Sequence, residues 1–128
     1  MAHVFISHRK SDDGPAARLA EDISRAGHRV WFDVWEIEPG DSVLGRMDEG
    51  LEAADYVVLC YSPAGVAAPY IEREWMPALD RQLRGHPVKI LPAVLRGGLP
   101  PAILADLKAA DLAADWDEGV RQLLRAIR

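Results

Sequence analysis

One cysteine, Cys60, is all the chain has. A single thiol excludes an internal disulfide and fits a reducing compartment. Cys60 lies in the apolar run Tyr56-Val57-Val58-Leu59-Cys60-Tyr61, where it reads as a core thiol and not as a nucleophile. Positive charge is also scarce: 15 Lys and Arg stand against 20 Asp and Glu, a formal net charge of -5. That balance argues against a nucleic-acid partner, although Arg9 and Lys10 could form a local anion site. No apolar stretch approaches the ~18 residues of a membrane span and no leader pattern is visible, so no membrane partner is expected and the expected location is the cytoplasm. The histidines at 3, 8, 28 and 86 are scattered, and none pairs with Cys60 or a carboxylate at metal spacing, so no metal is expected. There is no Gly-x-x-x-x-Gly-Lys loop, and Gly97-Gly98 is no dinucleotide fingerprint.

What is present is an alternation of strand and helix patterns without repeats or low-complexity segments. The 128 residues favour a single domain over 1–128, either a minimal protein or a module of a longer one. Hydrophobic residues at 49% and charged residues at 27% favour a folded chain over a disordered one. Strands are expected at 3–7, 29–33, 56–61, 88–94 and, weakly, 110–112. Helices are expected at 13–26, closed by Gly27, from Val43 to near Ala54, at 70–83 with a kink at Pro77, from about Ala102, and at the end, where Val120, Leu123, Leu124 and Ile127 face inward. Residues 35–42 read as a loop around the turn Pro39-Gly40. Five alternating strands imply an α/β flavodoxin-like three-layer sandwich with a parallel sheet of order 2-1-3-4-5.

The first strand ends abruptly in Ser7-His8-Arg9-Lys10, followed by Ser11, Asp12 and Asp13 at a helix start. A buried strand thus delivers polar groups to the rim of an open sheet, where ligands bind. Arg9, Lys10 and free N–H groups of the helix could hold a pyrophosphate, with Ser11 or Asp12 as cap; the alternative is two solvated cations. Asp12 and Asp13 would oppose an anion there. Ser7 lacks a clear base, since His8 points to the opposite strand face, and reads as a packing or hydrogen-bonding residue. Asp33 and Ser42 could line the cleft or serve as turn and cap residues.

Val4-Phe5-Ile6-Ser7-His8-Arg9-Lys10-Ser11-Asp12 resembles the first motif of Toll/interleukin-1 receptor (TIR) domains. The run from Val30 to Ser42 resembles their second strand and BB loop. Tyr61-Ser62-Pro63 with Tyr70-Ile71-Glu72-Arg73-Glu74 resembles the segment that carries Trp-x-x-x-Glu in NAD-cleaving members, with Tyr70 in place of Trp. Leu91-Pro92-Ala93-Val94 with Leu99-Pro100 is similar to the fourth strand and its loop. The resemblance covers essentially the whole chain, and the four pieces occur in family order.

The resemblance implies an NAD glycohydrolase or cyclase of the bacterial type, active when clustered, in anti-phage or cell-death defence. NAD would be a substrate, and no cofactor is expected. Glu74 is then the catalytic carboxylate, one helical turn from Tyr70, so that both share a face. Ser7, His8, Arg9, Lys10, Asp33, Trp35, Ser42 and Tyr70 form the expected substrate-binding set. Trp35 could stack on adenine or nicotinamide, anchor a neighbouring subunit, or pack beneath its own loop. The BB loop, Val34, Trp35, Glu36, Ile37, Glu38, Pro39, Gly40 and Asp41, is implied to pack against other TIR domains. The competing reading is a non-enzymatic interaction module, with Glu74 a surface charge. A phosphoacceptor receiver shares the sheet order but needs an Asp after the third strand and a Lys after a later one, where this chain has Ser62 and Arg96 or Gly97.

Overall fold

A computed structural model describes residues 1–8, 12–61, 88–95 and 108–127. The apolar runs of the sequence become strands buried on both sides. Val4, Phe5 and Ile6 of β1 (His3–Ser7) and Val57, Val58 and Cys60 of β3 (Tyr56–Tyr61) have almost no exposure. Only a sheet covered on both faces can bury consecutive strand residues, because successive side chains point to opposite sides. With β2 (Arg29–Phe32), β4 (Lys89–Val94) and β5 (Ala110–Asp111) they form one sheet of order β2-β1-β3-β4-β5. Every pairing is parallel. The expected order is the observed one.

The helices divide the core in two. On one face, Val4, Ile6, Phe32 and Val58 meet Leu19 and Ile23 of α1 (Asp13–Arg25), with Val120 and Leu123 of the last helix, α4 (Trp116–Ala126), in the same cluster. On the other, Phe5 and Val57 pack with Leu51 of α3 (Val43–Ala53), and Trp31 and Met47 lie against them. The Trp116 indole N–H donates to the Asp22 carboxylate at 2.8 Å, and the Arg18 guanidinium lies 4.2 Å from the Trp116 ring centroid. Both contacts fasten α4 to α1. The expected helix at 70–83 and the expected helix from Ala102 lie outside the described residues.

The expected second strand is one residue too long. It ends at Phe32, and Asp33 opens a single helical turn, α2 (Asp33–Glu36). The cause is local. The Asp33 carboxylate accepts the Val34 N–H at 2.8 Å, and its carbonyl accepts the Ile37 N–H at 2.8 Å. An aspartate that bonds nearby backbone in this way competes with the sheet ladder. The first part of the expected loop at 35–42 is therefore helical. Asp12 takes the N-cap position of α1, but its side chain makes no cap hydrogen bond to the helix.

The sheet order fixes the candidate site. The chain leaves β1 for β2 on one side and comes back from α3 to β3 on the other. The carboxyl ends of β1 and β3 therefore flank the point where the order reverses, which is where open α/β sheets bind ligands.

Gly50 of α3 tests the packing of this sheet edge. Trp31 stacks on Phe5 with centroids 4.5 Å apart and planes within 5°. A Cβ at Gly50 would sit 2.7 Å from the Trp31 ring. In an open helix, Ala is better than Gly by ~0.8–1.0 kcal/mol. Here Gly50→Ala is expected to destabilise by about 1–3 kcal/mol through overpacking, read from urea unfolding. A stabilised variant would mean that Trp31 is not held between Phe5 and α3.

Candidate functional site

The site is built from the residues that follow β1 and β2. Ser7, the last residue of β1, is buried. His8 lies just beyond it, with its ring against Phe32 at 4.8 Å between centroids and its side chain 2% exposed. Phe32 belongs to the α1 face and Phe5 to the α3 face, so His8 and Ser7 are directed to opposite faces, as strand alternation requires.

His8 is where three elements meet. Its Nε2 is 2.5 Å from an Asp13 carboxylate oxygen in the first turn of α1 and 3.5 Å from one of Asp33 at the start of α2. An ionised carboxylate can only accept, so Nε2 carries the proton in the short contact. Both carboxylates are about 40% exposed, so water solvates their outer sides while the imidazole is enclosed. The expectation of no metal is argued from linear spacing, and spacing does not see this trio. Folding gathers three possible ligand atoms from positions 8, 13 and 33 within 4.8 Å of one another. The observed distances are those of a charge-assisted hydrogen bond to Asp13 and a longer contact with Asp33.

The segment from Asp33 to Ser42 is closed by its own backbone. Glu38-Pro39-Gly40-Asp41 has the residue pattern of a type II turn, with Gly40 at φ +94°, where a side chain would be strained. The Asp41 N–H donates to the Glu38 carbonyl at 3.0 Å, and the Asp41 carboxylate accepts the Glu38 N–H at 2.9 Å. Ser42 caps α3 by accepting the Gly45 N–H at 3.1 Å. Val34 is 55% and Trp35 45% exposed, Trp35 standing edge-on to Phe32 at 5.3 Å. Of the readings for Trp35, packing wholly beneath its own loop is thus incomplete.

The structure therefore brings Ser7, His8 and Asp33 together at one rim. It gives Ser42 a capping bond, ties the Asp33 carboxylate to the Val34 N–H, and leaves Trp35 on the surface. Arg9, Lys10, Tyr70 and Glu74 lie outside the described residues. Asp12 is buried at the start of α1, and Asp13 is held by His8, so any anion bound there would meet two carboxylates. Cys60 is fully buried. Desolvation pushes its thiol far up, the nearby Asp12 carboxylate adds to this, and it is no nucleophile.

Two residues of this region escape sequence reasoning. Asp13 reads there as a helix-start charge that would oppose an anion, with no partner assigned. Arg46 of α3 is not singled out at all, yet its Nε and Nη2 both donate to the Glu36 carbonyl, at 3.2 and 2.8 Å. A usable signal exists for it: Arg46 is the only Lys or Arg between Asp33 and Asp55.

The profile of the TIR domain family matches residues 4–124. The chain is a TIR domain. Among curated relatives, this TIR domain is 38% identical over 89 residues to a protein of Bacteroides thetaiotaomicron named 2' cyclic ADP-D-ribose synthase BtTIR, covering 69% of this chain and 31% of that one. It is 28% identical over 131 residues to NAD(+) hydrolase TcpA of a Theionarchaea archaeon, covering 98% and 40%. The domain spans about a third of the length of the curated relatives it matches. Among solved structures, the TIR domain of the Toll-related receptor TRR-2 of Hydra magnipapillata superposes with a TM-score of 0.77 at 20% identity, covering 100% of this chain and 99% of that one. At that identity the likeness establishes the fold alone. No helix among the described residues is long and apolar enough to cross a membrane.

A double-mutant cycle tests the rim. His8→Ala is expected to cost about 1–3 kcal/mol in urea unfolding, because it removes a buried hydrogen-bonded ring. Asp13→Ala on top of it is expected to cost less than Asp13→Ala alone, with a coupling of roughly 0.5–3 kcal/mol. Additive losses would show that the two side chains do not support one another.

Proposed function

We propose that this TIR domain cleaves the bond between nicotinamide and ribose in NAD, as a hydrolase or a cyclase, when copies of it cluster. The observation that carries the reading is its similarity to relatives whose names state NAD hydrolysis or cyclic ADP-ribose synthesis, over most of its own length. The sequence adds Glu74 four residues after Tyr70, on one helical face by pattern.

The chemistry needs little. Breaking the C1'–N bond leaves positive charge on the ribose, and a carboxylate beside it stabilises that charge or grips the ribose hydroxyls. Nicotinamide in NAD is already cationic, so it departs neutral with the bonding electron pair and needs no acid. Water attacking C1' gives the linear product and releases one proton. A hydroxyl of the substrate attacking instead gives a cyclic one, also with loss of one proton. Glu74 takes the carboxylate role in this scheme, the β1 rim with Ser7, His8, Arg9 and Lys10 the binding role, and Tyr70 and Trp35 flat faces for the rings. A bacterial defence effector is the physiological setting that accords with this chemistry.

Clustering is supported by complementary surfaces. Asp33, Glu36, Glu38 and Asp41 make the 33–42 segment acidic, with Val34 and Trp35 exposed among them. At the opposite end of the strands, a cavity of about 660 Å³ is bordered by Lys89, Lys108 and Arg125 over a floor that includes Ile90, Leu91 and Leu123. Arg125 also pairs with Glu118 at 3.3 Å. An acidic, apolar loop on one copy and a basic, apolar-floored cavity on the next suit a head-to-tail contact, which builds a ring or a filament according to its rotation.

The test is NAD consumption with chromatography of the products. Tethering the domain to a multivalent scaffold is expected to raise NAD loss at least about tenfold over the same dilute concentration, through the higher effective concentration. Glu74→Ala is expected to abolish the loss while leaving the unfolding midpoint in place. Equal NAD loss by that variant would remove Glu74 from the chemistry. A clustered wild type that self-associates and leaves NAD intact would leave only a docking module.

A further inference from the structure

We propose that Arg46 is a positioning residue that fixes the 33–42 segment in the conformation presenting Val34 and Trp35. The proposal rests on the reading above that this segment docks on a second copy. One guanidinium holds both limbs of the loop to α3. On the outgoing limb, Nε and Nη2 converge on the Glu36 carbonyl at 3.2 and 2.8 Å. On the returning limb, Nε lies 3.8 Å from the Asp41 carboxylate, which itself closes the turn by accepting the Glu38 N–H. Nη1 is anchored on its own helix by Glu49 at 3.0 Å.

The loop needs such a tie. Between α2 and α3 its own backbone contributes the Ile37-to-Asp33 bond and the Asp41-to-Glu38 bond. Neither joins the outgoing limb to α3. The stretch from Asp33 to Asp41 carries four carboxylates and no cation, so without Arg46 its limbs repel each other. An isolated exposed ion pair contributes little, but here a forked donor chelates a carbonyl and sits 36% exposed among three carboxylates. Lysine has the charge without the fork. Trp35, one residue before Glu36, stands edge-on to Phe32 and projects from the loop that Arg46 holds.

The experiment compares wild type, Arg46→Ala, Arg46→Lys and, as a control on α1, Arg25→Ala, whose partners are Glu21 and Asp22. Amide hydrogen exchange and light scattering are read on the whole chain. In Arg46→Ala the Ile37 and Asp41 amides are expected to exchange roughly tenfold faster, while those of β1 and β3 keep their rates. The concentration for half-maximal self-association is expected to rise by roughly the same factor. Arg46→Lys is expected to recover little of either change, and Arg25→Ala to behave as wild type. Unchanged loop exchange would overturn the proposal, as would faster exchange with unaltered self-association, full rescue by lysine, or a wild type that stays monomeric at every concentration. A wild type that associates but spares NAD refutes the enzymatic reading and leaves this one supported, since neither readout needs turnover.

Discussion

Parallel pairing of β1 between β2 and β3 is the constraint from which the rest follows. Val4 faces Val30 on one side and Tyr56 on the other, Phe5 faces Trp31 and Val57, and Ile6 faces Phe32 and Val58. With strands running the same way, each connection must cross a face of the sheet, and all carboxyl ends arrive at one rim. The polar residues after β1 and the loop after β2 are neighbours for that reason. Asp33 is far from His8 and Asp13 in the chain, and the three meet because β1 and β2 end, and α1 begins, at the same rim.

That meeting makes the rim a shared structure. The enclosed imidazole of His8 touches both the helix that follows β1 and the turn that follows β2, so a displacement of either is felt at the other. Arg46 does the corresponding work on the far side of the loop. The segment 33–42 is thus held at its root by His8 and at its crown by Arg46, with Trp35 between the two. A domain that must recognise another copy benefits from such a loop, because less order is lost on docking.

Much of this is legible in the sequence, and the boundary of legibility is physical. Continuous apolar runs announce Val4–Ile6 and Tyr56–Cys60 as doubly covered strands, and the period of Ala16, Leu19, Ala20 and Ile23 announces α1. Those signals depend on burial, which neighbouring residues share. The end of β2 does not: whether Asp33 pairs in the sheet or bonds Val34 is a local competition that no pattern of apolar residues decides. Linear spacing likewise misses contacts that exist only after folding. Asp13 with His8 and Arg46 with Glu36 are of that kind. Asp33 and Ser42 are legible as polar residues of a turn or cap, and Ser42 takes the cap role. Arg9, Lys10, Tyr70 and Glu74 rest on the family motifs.

The central claim is that the carboxyl edge beside β1 is where NAD binds. Titration of isotopically labelled domain, assembled on a scaffold, with a hydrolysis-resistant NAD analogue tests it most directly through backbone amide shifts. The account expects the largest changes at Ser7, His8, Asp33 and Glu74, with little at α4. Shifts confined to the cavity around Lys89, Lys108 and Arg125, or no shifts at all at saturating analogue, would contradict it.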